Sequence, residues 1–177
     1  MAKTTRWRRF KADLTGESDR WGRTILYGVV LARLSLATVS LAISLVYVLS
    51  TGETDFAVIF SGTTISEVNA IQIFSGVFLA PLLESLFLAF LVWLISSKLR
   101  WRPWIMALVC ALIFVPLHGL AIGSLIVVPF FWLMALVQYN WMRRGDGLGG
   151  YWIVVTMHAI SNGVAFLSVA MSPFAGG

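Results

Sequence analysis

"NAIQIFSGVFLAPLLESLFLAFLVWLISS", residues 69–97, is apolar along nearly its whole length and carries a single ionisable side chain, Glu84. A helix of about 20 apolar residues crosses a hydrocarbon core of roughly 30 Å. The run is continuous where a barrel strand would alternate, and only helices or closed barrels satisfy the backbone in lipid. It therefore reads as a transmembrane helix with one acid at depth. Comparable runs cover 25–50, 103–121, 124–141 and 150–171. The expected fold is an all-α polytopic bundle of about five spans.

Composition agrees. The 177 residues are 59% hydrophobic and 12% charged, with mean hydropathy +0.87, whereas a soluble domain is about one-quarter charged. The net charge of +5 would suggest nucleic acid in a soluble protein. Here the basic residues sit at the ends of apolar runs, so topology explains them and no nucleic-acid partner is expected. Residues 1–24 are polar and basic, with Trp7, Phe10 and Trp21 interleaved. That mixture suits anionic headgroups, or equally a disordered tail held by its charge. Residues 25–177 form one transmembrane domain, with no internal repeat and no long linker. The first run is too long for the apolar core of a signal peptide.

The turn 98–102 (KLRWR) holds three basic residues, 142–146 (MRRGD) holds two, and 51–68 holds three acids with no Lys or Arg. The positive-inside rule then sets the N-terminus in the cytoplasm. The expected location is the cytoplasmic membrane of a prokaryote. Cys110, the only cysteine, excludes an internal disulfide and reads as a small packing residue. Gly119 and Gly123 form a GxxxG, a spacing that commonly marks close helix packing.

Seven of the eight acids lie outside the spans; Glu84 does not, and neither do the two histidines, His118 and His158. Ionisable groups within a span are expensive and face a partner, a cavity or the bundle interior. Three of them on three helices point to one polar site. His158 and Asn162, at i and i+4, share a helix face, as do Phe114 and His118. Pro81 precedes Glu84 and Pro116 precedes His118, each removing a backbone donor and freeing carbonyls nearby. A glutamate can take a proton from water that a histidine holds, while a second histidine and an asparagine donate to an oxyanion. Two histidines and a glutamate are also zinc-ligand types. No HExxH motif is present, however, and the spacing requires no metal, so no cofactor is expected.

These residues resemble a known family. "APLLES", "FVPLH" and "HAISN" look like the three motifs of the CPBP family of intramembrane endopeptidases (CAAX-processing and bacteriocin-processing, also called Abi), whose pattern is EExxxR, FxxxH, then HxxxN or HxxxD. Phe114 to His118 matches the second motif and His158 to Asn162 the third. Glu84 takes the first glutamate, but Ser85 stands for the second and Ala89 for the arginine. The resemblance implies a glutamate-dependent protease of membrane-associated proteins or peptides. Glu84 and His118 would activate water, and His158 and Asn162 would stabilise the oxyanion.

Arg33, about two turns into the first span, is either a snorkelling side chain or the source of the positive charge that Ala89 lacks. Ser85 and Ser161 read as packing or backbone-bonded hydroxyls. Two other classes suit the same residues: a protease-like subunit without activity, or a small transporter in which Glu84 and the histidines relay protons.

Overall fold

A computed structural model describes residue 12 and residues 21–52, 70–119 and 122–170. Most of the basic N-terminal segment, most of the acidic stretch 51–68 and the C-terminal residues lie outside the described residues. The described chain is an all-α bundle. Helix α1 spans Trp21–Thr51 and α2 spans Ala70–Leu99. Helix α3, Pro103–Phe114, runs into one 3₁₀ turn, Pro116–His118. A second 3₁₀ stretch, Ile122–Val127, leads into α4, Val128–Arg143, and α5 covers Gly147–Ala170.

Four helices are long and apolar enough to cross a membrane; the fifth apolar helix, Pro103–His118, is shorter. The expected third span, 103–121, thus stops early. Pro116 is the cause: it brings no N–H, and its ring crowds the carbonyl four residues back. The backbone tightens to i−3 bonds, with Val115 N–H donating to Leu112 O and His118 N–H to Val115 O. Gly119, at φ 121°, then turns the chain through a conformation that side chains resist. The chain therefore turns at Gly119, the first glycine of the Gly119–Gly123 spacing.

Helix α4 is central and packs against all four other helices. Its Phe131, Met134, Ala135, Val137 and Trp141 are buried, together with Met106, Ala107, Cys110 and Ala111 of α3 and Ile153, Val154 and Met157 of α5. Cys110 lies in this core with Sγ 3.8 Å from Met106 Sδ. Between helices in lipid, close packing replaces the hydrophobic drive, so small residues admit neighbours. Gly28 of α1 receives the Met157 side chain, and a Cβ on Gly76 of α2 would lie 2.6 Å from the Phe166 ring of α5. Large apolar side chains such as Leu41, Leu49, Ile71, Leu83 and Leu86 are exposed, as lipid-facing positions require.

The Trp21 ring meets Trp141 edge-on at 5.9 Å, and the Arg144 guanidinium lies 5.0 Å from the same indole. The start of α1 therefore shares one end of the bundle with the MRRG turn. Asp146 caps α5 there, accepting from Gly149 N–H at 2.8 Å.

Candidate active site

Two prolines shape the site in the same way. In α2, residues Ser75–Leu79 form a wide turn in which Ala80 N–H donates to Ser75 O, five residues back. Gly76 O would next look to residue 81 for a donor, but Pro81 has none. Asn162 supplies it: Nδ2 of this α5 side chain donates to Gly76 O at 2.7 Å. After α3, the i−3 bonding around Pro116 diverts His118 N–H to Val115 O, which leaves Phe114 O open. His118 takes it with its own ring, Nδ1 lying 3.0 Å from Phe114 O. A carbonyl only accepts, so Nδ1 carries the hydrogen, and in a neutral ring Nε2 is left as an acceptor.

That Nε2 faces Glu84. His118 Nε2 is 3.8 Å from Glu84 Oε2, and His158 Nε2 is 3.7 Å from the same oxygen. Both separations exceed hydrogen-bond reach, and Glu84 Oε2 is buried without a hydrogen-bond partner. One carboxylate oxygen from α2 thus lies between an imidazole from the end of α3 and another from α5. The Glu84 and His118 side chains keep 27% and 28% of their exposure, whereas His158 keeps 3%. One partner is therefore enclosed and the other accessible.

The rings that hold the imidazoles had no motif to announce them. Phe131 meets His118 edge-on at 5.3 Å and His158 at 5.6 Å, while Phe130 meets His158 at 5.2 Å. Phe114 stacks on Phe131 at 4.0 Å. Phe131 thereby packs against both histidines, with Phe114 as its backing, and such aromatic pairs are worth about 0.5–1.5 kcal/mol beyond their buried area. The only sequence signal for this packing is a Phe-Phe pair following Pro129 at the start of α4.

A cavity of about 400 Å³ opens beside the cluster, lined by residues that include Ala32, Arg33, His118, Phe130, Ser161 and Asn162. His118 is the member of the pair that reaches both Glu84 and this cavity. Arg33 is turned inward, its Nη2 donating to Ser161 O. Ser85 is buried and its hydroxyl has no hydrogen-bond partner, so of its two expected roles it fills the packing one. Among the described residues, no group of three or more His, Cys, Asp or Glu side chains is arranged to hold a metal ion.

Glu84, His118 and His158 are thus brought together, and Phe114 supports them. Asn162 stands on the cavity wall with part of its amide committed to Gly76. Comparisons with family models, curated proteins and solved structures find no match.

Proposed function

We propose that this chain is a glutamate-dependent intramembrane endopeptidase that hydrolyses a peptide bond of a membrane-associated protein. The observation that carries the reading is the placement of Glu84 Oε2 between His118 Nε2 and His158 Nε2, beside a cavity that His118 and Asn162 line. The resemblance to the three protease motifs supports it.

In the proposed reaction Glu84 takes a proton from a water that His118 Nε2 orients by accepting its other hydrogen. The resulting hydroxide attacks the scissile carbonyl carbon. Asn162, whose amide has two hydrogens and gives one to Gly76 O, donates the second to the oxyanion. Collapse of the tetrahedral intermediate breaks the C–N bond, and Glu84 returns the proton to the leaving amine. His158 is expected from its motif to donate to the oxyanion. Its Nε2, however, is turned toward Glu84 under the Phe130 and Phe131 rings, which suits holding the carboxylate better.

The test is co-expression with candidate exported proteins, comparing cleavage products of wild type and Glu84→Gln. Loss of the product in the variant supports the reading, and full retention sinks it. Because Glu84 serves as the base without a metal, cleavage should survive extensive chelation; loss in chelator with recovery on adding zinc would replace the mechanism. A proton relay would instead show pH-dependent flux in proteoliposomes that Glu84→Gln removes, without peptide products.

A further inference from the structure

We propose that Arg33 is a specificity-determining residue that receives a carboxylate of the substrate in the cavity beside His118. The inference rests on the protease reading for the ligand being a peptide; the anionic requirement comes from the cavity itself.

Arg33 lies 12 residues beyond Trp21, on the order of 18 Å along α1. A guanidinium at that depth is costly unless a partner or cavity receives it. Its one hydrogen bond, to Ser161 O, goes to a carbonyl that supplies no charge. Its Nε–H is buried without a partner. The two acids among the described residues are engaged elsewhere, Glu84 at the histidines and Asp146 at Gly149. Ser161 adds an independent sign of a missing ligand. It is 7% exposed, lines the same cavity, and its hydroxyl also has no partner. Arg33 and Ser161, each with an unsatisfied donor, line this cavity together with His118, Asn162 and apolar groups such as Leu36, Val127, Phe130 and Ala165.

An apolar peptide carrying one carboxylate complements that combination, because guanidinium and hydroxyl both donate to carboxylate oxygens. With His118 and Asn162 on the same cavity wall, the captured group would lie within a few residues of the bond being cut. Its source is either an acidic side chain or a free C-terminus.

The experiment uses the full chain with Glu84→Gln in lipid nanodiscs, so that binding is read without turnover. The probes are apolar 20-residue peptides. One pair differs by Asp against Asn at a single position, with the C-terminus amidated, and a second pair by free against amidated C-terminus in an otherwise neutral chain. At least one carboxylate peptide should bind about 10- to 100-fold tighter than its neutral partner, as charged hydrogen bonds provide. The pair that discriminates identifies the source. Arg33→Gln should erase the preference, and Arg33→Lys should keep part of it. Equal binding within both pairs, or a preference that survives Arg33→Gln, overturns the proposal. If Arg33→Gln does not fold, a photo-crosslinker beside the carboxylate decides: labelling of residues 29–36 supports it, and labelling confined elsewhere overturns it. Parallel turnover with wild type separates the two readings. Carboxylate-dependent binding with no cleavage of any peptide sinks the protease and leaves this site standing. Cleavage indifferent to the carboxylate does the reverse.

Discussion

Asn162 and His118 at the candidate site each answer a specific backbone demand, and substitutions separate those roles from the chemistry. Glu84→Gln and His118→Ala should each lower cleavage by roughly 100- to 10,000-fold, the range of general-base catalysis, when turnover of a membrane-anchored substrate is measured. Asn162→Ala should show two effects at once. Loss of an oxyanion donor typically slows turnover roughly 100- to 1,000-fold. Leaving Gly76 O unpaired should also lower thermal stability by about 1–3 kcal/mol; an unchanged melting temperature would mean that the Asn162–Gly76 bond contributes nothing. Ser85→Ala is the contrasting case. Its hydroxyl is buried and unpaired, so its removal should leave stability the same or slightly higher, and cleavage near wild type.

Among helices, the informative contacts are those where one α2 feature depends on α5. Restoring an N–H with Pro81→Ala gives Gly76 O a local donor, so the stability loss from Asn162→Ala should shrink in that background. A double-mutant cycle by thermal unfolding should give a coupling of roughly 1 kcal/mol, and strict additivity would remove the proline explanation. Two glycines make a second pair. A methyl at Gly28 meets the flexible end of Met157, whereas one at Gly76 meets the Phe166 ring. Gly76→Ala should therefore destabilise by about 1–3 kcal/mol and reduce cleavage, since it pushes α2, with Glu84, away from α5. Gly28→Ala should be milder in both assays; the reverse order would show that the α2–α5 approach does not set the site.

For the whole molecule, the Trp21–Trp141 contact and the central position of α4 make a topological prediction. In a Cys110→Ala background, cysteines at Gly22 and Gly145 should react with an impermeant reagent from one face of the membrane. A cysteine at Ser50 should react from the other face. Labelling of Gly22 and Gly145 from opposite faces would break the bundle as described.

What the sequence determined by itself was set by solvent. The apolar runs 25–50, 69–97 and 150–171 must be helical in lipid, because nothing there but the helix satisfies their backbone. That is why the all-α fold and the inward-facing, expensive trio of Glu84, His118 and His158 could be read from one chain. Proline announced that carbonyls would be freed near Glu84 and His118, but not which side chains would use them. That choice was tertiary. Asn162 reaches Gly76 across 86 positions, Phe131 packs against two imidazoles from different segments, and Arg33 turns to Ser161 rather than toward the surface. The break after Phe114 likewise depended on how the chain resolved Pro116. Apolar periodicity reports burial in lipid or protein alike, whereas hydrogen bonds between helices depend on which faces pack, and only the assembled bundle decides that.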